Sequence, residues 1–357
     1  MNRYVFQGMK RDSALSITGM SKHQYYYRPK PNDRGRVPTT TTLKIEDDVI
    51  VPVSNAEVIE QISSIQADPD TDYGYHKMTY SLLFLGFFIN HKKVYRLMKR
   101  GQLLKKRHAK AQRTLVRYRK VMPFGPLEVL EMDIKFVWVE EYRRHAFIFT
   151  VIDTFTRVVL YWHSAYQFKQ TQVKQAWENI IENYLQPYDC LNRNINIEIR
   201  NDNDSRFAAK TVQQFFVENK LNQVFTHPYT PQENGHIESF HAILSRMLDR
   251  HCFWSIQQLD ECLKLFYEKY NYQRIHSSTA FIAPMTFWKC WQDELIETKI
   301  NERRRTIKFR LKVPYHKLSG IMSLREVPCS QPATLNGLGV VEKAVIGAEK
   351  LLKPSVY

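Results

Sequence analysis

The chain has 357 residues, of which 43% are hydrophobic and 25% are charged, enough for two or three globular domains with sizeable cores. No apolar run is long enough to cross a membrane, the first residues lack the apolar core of a signal peptide, and the five cysteines form no CxxC pair. These features exclude an integral membrane protein and a disulfide framework, and they predict a cytoplasmic protein in a reducing compartment.

The formal net charge of +16 predicts a polyanionic partner, most simply nucleic acid, and its distribution sharpens that prediction. Residues 73–127 contain no acidic side chain, and thirteen of the thirty residues in 91–120 are Lys or Arg. Residues 128–250, in contrast, hold sixteen acidic and thirteen basic residues. We therefore expect binding and chemistry to occupy separate parts of the chain.

The N-terminal part predicts a short helical segment over residues 1–28, followed by a linker over 29–55. Within the helical segment, Gly19 marks a turn and Ser21 is a candidate N-cap for a second short helix. This pattern fits a helix-turn-helix remnant or a small helical hairpin equally well. Several prolines and a run of four threonines predict that the linker has no regular element.

Residues 56–121 predict a basic, helix-turn-helix-like DNA-binding domain. Its last helix covers residues 91–100, ends at Gly101 and directs apolar residues to a core. A basic helix after a turn is typical of a reader of the DNA major groove; the competing interpretation is a helical spacer with a solvated basic face. The cations expected on the exposed faces, and hence on DNA phosphates, are Lys92, Lys93, Arg96, Lys99 and Arg100.

Residues 124–290 predict an α/β domain with the element order β-β-β-α-β-α-β-α-α. The first three strands form a meander, and the later strands alternate with amphipathic helices, which favours a mixed five-stranded sheet flanked by helices. Residues 291–357 form a basic C-terminal extension whose role the sequence does not reveal. A short helix is predicted there near residues 340–352.

Three carboxylates stand at special places in this α/β domain. Asp133 lies within the apolar first strand, Asp202 lies just after the fourth strand, and Glu238 lies near the start of the helix after the fifth strand. Loops at the strand ends of an α/β sheet gather over one edge, so these side chains can converge. Three oxygen ligands suit Mg²⁺ or Mn²⁺, and such ions catalyse displacement at phosphorus. Each acid alone is as well explained by a cap or an ion pair.

The spacing of these acids, with thirty-five residues between the last two, resembles the D,D-35-E motif of retroviral integrases and insertion-sequence transposases. The segments VIDTFTRVV, RNDNDSRF, HPYTPQENGHIESFH and YNYQRIHSSTAFIAPMTF resemble the family's flanking motifs. The stretch DYGYHKMTYSLLFLGFFINHKKVYRLMKRGQLL resembles the helical DNA-binding segment of the second-reading-frame product of bacterial two-frame elements. The likeness covers about residues 10–290.

This resemblance implies an RNase H-like core that uses Mg²⁺, with Mn²⁺ as a substitute, held by Asp133, Asp202 and Glu238. It implies hydrolysis at the element end to free a 3′ hydroxyl, which then attacks target DNA. Further implications are a homo-oligomer on paired terminal inverted repeats, a helix-turn-helix partner from a first reading frame, and a location at the bacterial nucleoid. Asn234, in a mobile Asn-Gly loop beside the site, and Arg246 are expected to contact DNA.

Two positions depart from the family's pattern. Asp204 stands where a glycine is usual, and it could misplace the loop or act as a spare ligand. Ser245 stands where a basic residue that holds the DNA end is usual, and Arg246 lies about 100° round the helix from it. These departures support an alternative function, a catalytically decayed DNA-binding repressor or inhibitor of a related element. A metal-dependent nuclease without strand transfer is a weaker third interpretation.

Overall fold

The computed structural model describes residues 2–27, 39–46, 48–105, 121–192, 196–227, 231–301, 303 and 305–318, with the backbone alone at 231–232. The basic residues 106–120 and the helix expected near 340–352 lie outside the described residues. No helix in the described ranges combines the length and the apolar character needed to cross a membrane.

The N-terminal segment contains three short helices, α1 (Asn2–Phe6), α2 (Arg11–Thr18) and α3 (Lys22–Tyr26). Gly19 ends α2 in the left-handed region at φ 65°, a conformation that glycine adopts without steric cost. The hydroxyl of Ser21 accepts a hydrogen bond from the Gln24 N–H and caps α3. The predicted turn and N-cap are therefore confirmed.

A β-hairpin follows, made of β1 (Thr41–Glu46) and β2 (Val49–Ser54), so the prediction of an irregular linker up to residue 55 is wrong. Thr41 and Thr42 are β-branched residues that favour strands. Pro52 is tolerated because β2 is the edge strand of its sheet, where no neighbour needs the missing N–H.

The predicted basic domain is built from α4 (Asn55–Ala67), α5 (Tyr75–Phe84), β3 (Phe87–Phe88) and α6 (His91–Arg100). Strand β3 pairs with β1 and completes a three-stranded sheet in the order β2-β1-β3. Apolar residues of the three helices share one core, which includes Val58, Ile62, Met78, Leu82, Val94 and Met98. We call residues 41–105 the helical module.

The α/β domain begins with the meander β4 (Val129–Val139), β5 (Arg144–Asp153) and β6 (Val159–Ala165). Its crossover elements are α7 (Gln170–Ile180), extended by a π-helical turn, then β7 (Ile197–Asn201), α8 (Lys210–Glu218) and β8 (Leu221–Phe225). After a 3₁₀ turn come α9 (Gly235–Leu248) and α10 (Ile256–Tyr272). The sheet order is β6-β5-β4-β7-β8, with the meander antiparallel and β4, β7 and β8 parallel.

Helices cover both faces of this sheet, because its strands carry apolar residues on both sides. On one face, Phe149 and Val151 of β5 join the core formed with α7 and α8. On the other face, Ile148 and Ile152 of the same strand join the core formed with α9 and α10. The domain is thus a three-layer, mixed five-stranded α/β fold of the RNase H type, as the sequence predicts.

The chain continues through α11 (Pro284–Gln292) into a second hairpin, β9 (Ile296–Asn301) and β10 (Thr306–Leu311). Phe309 of β10 packs edge-on against Phe155 and Phe287, at ring-centre distances of 5.1 and 4.9 Å. The helical module joins the domain through an aromatic stack, Tyr80 on Phe281, with ring centres 3.9 Å apart. The first part of the C-terminal extension is therefore packed onto the α/β domain.

Candidate active site

The register of β4 and β7 sets the first two candidate carboxylates side by side. These strands are parallel, and Glu131 on β4 lies opposite Arg200 on β7. Two residues further on are Asp133, still within β4, and Asp202, just after the end of β7. Loss of hydration and, next, the charge of Asp133 raise the pKa of the Asp202 carboxyl. Acids sixty-nine residues apart (202 − 133) are thus neighbours at one sheet edge.

Helix α9 brings the third carboxylate to the same edge. Glu238 lies in the first turn of α9, which packs against β4 and β5, and its side chain is exposed. Partial burial, followed by the charges of Asp133 and Glu131, raises the pKa of Glu238, whereas His241 lowers it. Asp133 is therefore the common neighbour of Asp202 and Glu238.

The three carboxylates match Mg²⁺ or Mn²⁺ in the chemistry of their donors, since both ions prefer hard oxygen ligands. Burial and, after it, the negative charge of Asp133 raise the pKa of Asp202 and Glu238, and a bound cation would relieve that repulsion. Among the residues the structure describes, however, no three acidic, histidine or cysteine side chains are gathered closely enough to hold an ion as they stand. Binding therefore requires the acids to turn toward a common centre.

Glu131 anchors the start of α9, a role that sequence reasoning missed. Its side chain is fully buried, and one carboxylate oxygen accepts hydrogen bonds from the backbone N–H groups of His236 (3.0 Å) and Ile237 (2.7 Å). The other oxygen lies 2.8 Å from Nδ1 of His236. Burial raises the pKa of Glu131 to about 7, although the Ile237 bond and the nearby Arg157 oppose that shift. The signal was present, because an acid in an apolar strand is costly unless it is paired.

His241 is a second site residue that the sequence analysis did not identify. It follows Glu238 by three positions on α9, so both side chains lie on neighbouring parts of the helix surface. Its Nδ1 lies 3.2 Å from the Asp133 carboxylate. Its Nε2 is buried and has no hydrogen-bond partner in the described part of the chain. His241 thus orients Asp133 and leaves one ring nitrogen unused.

Asp204, the residue that replaces the usual glycine, is fully engaged by Arg206. One Asp204 oxygen accepts bonds from the backbone N–H and Nε of Arg206, and the other accepts from Nη2 at 2.5 Å. The Arg206 hydrogen bonds lower the pKa of Asp204 against the opposing effect of burial. Asp202 in turn accepts a bond from the Asp204 N–H at 3.2 Å. Asp204 therefore shapes the loop that presents Asp202 and is not a spare ligand in this arrangement.

Two polar positions of α9 predicted to concern DNA have different environments. Ser245 donates its hydroxyl to the His241 carbonyl at 2.8 Å, a bond within the helix. Arg246 is exposed, and it is close enough to Lys77 and Arg274 that its charge lowers the pKa of each. Arg246 thus faces the helical module, where the other cations gather.

Asn234 does not occupy the open loop that its Asn-Gly sequence suggested. It lies at the N-cap of α9 and is only 7% exposed. Its Oδ1 is buried and has no hydrogen-bond partner among the described residues. The expectation of an accessible loop residue is wrong for this arrangement, because Glu131 fixes the first turn of the helix.

Helix α6 carries the predicted cations, and four of the five are on its surface. Its N-terminus is capped by Asn90, whose side chain accepts a bond from the Lys93 N–H. Lys93 itself is buried and donates from Nζ to the Thr41 carbonyl (2.5 Å) and the Thr39 hydroxyl (3.1 Å). The expectation that Lys93 is exposed is therefore wrong. The exposed cations are Lys92, Arg96, Lys99 and Arg100.

Three protein-family models match parts of the chain. Two models described as integrase core domains match residues 124–231 and 219–284, and a model described as an HTH-like domain matches residues 54–111. The matches therefore cover the sheet with its candidate carboxylates and most of the helical module.

Two proteins of bacterial insertion elements are similar over most of the chain. An uncharacterized protein of insertion element IS476 from Xanthomonas euvesicatoria is 25% identical, over 77% of this chain and 71% of that protein. The putative transposase InsK of IS150 from Escherichia coli K12 is 26% identical, over 66% of this chain and 84% of that protein. The catalytic core of BIV integrase, at 17% identity, covers 47% of this chain and 97% of its own with a TM-score of 0.34, too weak a likeness to carry an argument.

Proposed function

We propose that this chain, an integrase-core protein homologous to those encoded by bacterial insertion elements, is a transposase that joins element ends to target DNA. The observation that supports the proposal is the parallel register of β4 and β7, which brings Asp133 beside Asp202, with α9, the helix that carries Glu238, packed against the same strand β4. After burial, the charge of Asp133 raises the pKa of both Asp202 and Glu238, and carboxylates this close to one another form a site where divalent cations are favoured.

The cofactor that this donor set fits is Mg²⁺, with Mn²⁺ as a substitute. Asp133 and Asp202 would share the metal ions, and Glu238 would complete the set from the opposite side. When bound, such ions polarise the attacking oxygen and stabilise the leaving oxygen at phosphorus. No protein side chain is needed as a covalent nucleophile.

Two displacements at phosphorus account for the proposed reaction. In the first, water attacks the phosphodiester at the element end, and the P–O3′ bond breaks to leave a free 3′ hydroxyl. In the second, that hydroxyl loses its proton and attacks a target phosphorus, whose own 3′ oxygen leaves and takes up a proton. The first step is a hydrolysis of one phosphodiester, and the second step exchanges one phosphodiester for another, so no energy-rich co-substrate is required.

Two residues of the chain position the acids for this chemistry. His241 holds the Asp133 carboxylate at 3.2 Å, which limits its rotation. Glu131 ties the first turn of α9 to β4 and thereby sets the distance between Glu238 and Asp133. Catalysis at phosphorus depends strongly on such positioning, since a misplacement of about 1 Å costs roughly a hundredfold in rate.

DNA is the partner that the exposed face of α6 supports. Lys92, Arg96, Lys99 and Arg100 would neutralise backbone phosphates of the terminal inverted repeats. Arg246, on the side of α9 that faces the module, would contribute to the same surface. Assembly as a homo-oligomer on paired ends, and a helix-turn-helix partner from a first reading frame, complete the proposal.

The deciding experiment incubates the purified chain with labelled terminal-repeat DNA, a plasmid target and Mg²⁺ or Mn²⁺, with and without the first-frame partner. Joined products are expected from the wild type and are expected to be lost in Asp133→Asn and Glu238→Gln while DNA binding persists. Glu261→Gln is the matched control, because Glu261 is an exposed glutamate of the same domain, on α10. Failure of the wild type to cleave or join under every condition rejects the proposal.

A DNA-binding repressor is the competing function. It is favoured by Ser245, which leaves the expected DNA-gripping position without a charge, and by the acids not being gathered around one centre. Under that function the wild type and Glu238→Gln bind terminal-repeat DNA equally well and neither yields product. The same experiment therefore separates the two functions.

A further inference from the structure

A cavity of about 220 Å³ lies beside the first turn of α9, where the catalytic domain meets the C-terminal hairpin. Arg157 and His236 line it from the domain, Ser278 lines it from the loop before α11, and Arg305 lines it from the turn between β9 and β10. None of the described residues that line it is acidic. The cavity is therefore a cationic and hydroxyl-bearing recess.

Arg157 is the central group of this recess. Its Nε donates to the Ser278 hydroxyl at 3.3 Å, and its buried Nη1 has no hydrogen-bond partner in the described part of the chain. Burial lowers the pKa of Arg157, and the nearby charges of Glu131 and Asp153 offset that effect only in part. A buried guanidinium with an unused donor is costly unless an anion completes its shell.

The hydroxyl groups of the recess are arranged to donate to an anion. The Ser278 oxygen accepts from Arg157, so its own O–H is free to point into the cavity. Arg305 adds an exposed charge from the hairpin turn. The hairpin is fixed in place by Phe309, which packs on Phe155 two residues before Arg157. A phosphate that enters here meets two guanidinium groups and a hydroxyl.

The recess adjoins the candidate active site through His236. This residue lines the cavity, and its Nδ1 lies 2.8 Å from Glu131, the acid that holds α9. Glu238 follows His236 by two positions on the same helix. An anion bound in the recess is therefore held next to the helix that carries the third catalytic acid.

We propose that this recess binds a backbone phosphate of the DNA strand that passes the active site, through Arg157, Ser278 and Arg305. The proposal rests on the proposed function for the identity of the anion, and it assigns a role to the C-terminal hairpin. The recess holds the strand while the neighbouring phosphodiester lies at the carboxylates.

The test measures binding of the full chain to a labelled terminal-repeat duplex over a range of NaCl concentrations, with EDTA present to prevent cleavage. Arg305→Asn removes the charge and suits the left-handed backbone of this position, φ 46°. Loss of one phosphate contact is expected to lower the slope of log affinity against log salt by about 0.9, which weakens binding roughly five- to tenfold at low salt. Ser278→Ala is expected to weaken binding with no change in that slope.

Arg310→Gln is the matched control, because Arg310 is exposed on β10 of the same hairpin and does not line the recess. The proposal fails if Arg305→Asn and Arg310→Gln have equal slopes, or if the wild type does not bind the duplex. Binding is measured without metal, so it does not depend on catalysis. If joining fails while Arg305→Asn still lowers the salt slope, the proposed transposase activity is rejected and the recess proposal stands. Joining by the wild type with no Arg305 effect rejects the recess alone.

Discussion

The acidic edge of the five-stranded sheet, which carries Asp133, Asp202 and Glu238, and the basic helix α6 share one arrangement with opposite charges. Each region exposes several like-charged side chains and turns one inward. At the edge, Asp133, Asp202 and Glu238 stand near solvent while Glu131 is buried; on α6, four cations are exposed while Lys93 is buried.

The inward residue in each region makes polar contacts between two elements. Glu131 of β4 binds the backbone of α9, and Lys93 of α6 binds the carbonyl of Thr41 in the hairpin. Burial disfavours the charged form of both residues, since it raises the pKa of Glu131 to about 7 and lowers the pKa of Lys93. The difference lies in the contacts: Glu131 meets two backbone N–H groups and a ring nitrogen, whereas Lys93 donates to one carbonyl and one hydroxyl. A group of like-charged residues in a sequence therefore indicates a charged surface, but it does not reveal which of these residues is buried and holds two elements together.

The largest expected effect is that of Glu131→Ala compared with Glu131→Gln. Alanine leaves the His236 and Ile237 N–H groups buried without acceptors, which should cost about 2–4 kcal/mol of unfolding free energy. Glutamine keeps its oxygen for both N–H groups and directs its amide to the His236 ring, so its effect should be small. Urea unfolding monitored by tryptophan fluorescence measures both.

The joining assay provides the readout that a purely structural role would not change. At a temperature where both variants are folded, Glu131→Ala should join ends at least about a hundredfold more slowly, because α9 and Glu238 are no longer fixed to β4. Glu131→Gln should join at nearly the wild-type rate. An equal loss in both variants would show that the charge itself, and not the hydrogen-bond geometry, is needed.

A second prediction concerns Lys77, a largely buried lysine of α5 where the helical module meets the α/β domain. Burial is the main cause that lowers the pKa of Lys77 from 10.5 to about 8, and the charges of Arg274 and Arg246 add to its effect. The folded state disfavours the charged form, so the full penalty is present below pH 8 and disappears as the pH rises to 10.5. Lys77→Met should therefore be more stable than the wild type by about 2 kcal/mol at pH 7.

That difference should shrink toward zero near pH 10, as measured by urea unfolding at both pH values. Lys92→Met is the control, because Lys92 is exposed and its replacement should change stability by less than about 0.5 kcal/mol. The gain is limited by the cation–π contact of Lys77 with Tyr73, at 5.3 Å, which methionine loses in part. A Lys77 variant less stable than the wild type at pH 7 contradicts the assignment of a buried charge.

Much of the fold was predictable because its elements have clear periodicity. The bounds of α6 match the sequence prediction, and the five-stranded mixed sheet follows from alternating strands and amphipathic helices. The hairpin at residues 41–54 was missed because Pro52 was interpreted as a break, whereas an edge strand tolerates it. Local signals do not reveal whether a strand is central or at an edge.

The candidate site was predictable only in its acids. Asp133 and Asp202 follow from their positions on strands, since parallel register then sets them side by side. Glu131 and His241 were missed because their roles depend on where α9 packs, and no local pattern specifies that. The burial of Lys93 depends likewise on the tertiary position of Thr41. The candidate acidic residues could be identified from the sequence, whereas the packing that orients their side chains could not.

The third prediction separates scaffold from surface on α6. Lys93→Met loses two hydrogen bonds and should lower the unfolding free energy by about 1–2 kcal/mol, with no change in the salt dependence of DNA binding. Arg96→Gln should change stability by less than about 0.5 kcal/mol and lower the salt slope by about 0.9. Urea unfolding and anisotropy titrations on both variants measure this contrast. A weaker salt slope in Lys93→Met would show that Lys93 reaches DNA.

The smallest expected effect is at Asp70, which forms ion pairs between the helical module and the α/β domain. Its carboxylate accepts from Arg250 Nη2 at 2.9 Å, and Lys269 Nζ lies 3.5 Å away. Burial raises the pKa of Asp70, but Arg250 and Lys269 together outweigh burial, so the pKa lies below its ordinary value of 3.8. The ion pairs therefore contribute to stability above pH 3.8, and that contribution is lost as the pH falls below this value. Because these side chains are partly exposed, Asp70→Asn should cost less than about 1 kcal/mol.

Thermal unfolding of Asp70→Asn and Asp72→Asn at low and high salt measures this contribution. Asp72 pairs with Lys105 inside the module, so its variant has the same charge change without affecting the junction. The Asp70 difference should vanish at high salt, and DNA joining should persist, because the aromatic stack of Tyr80 on Phe281 still holds the module in place. Loss of joining in Asp70→Asn alone would mean that the ion pairs, and not the aromatic contact, set the position of the helical module relative to Asp133, Asp202 and Glu238.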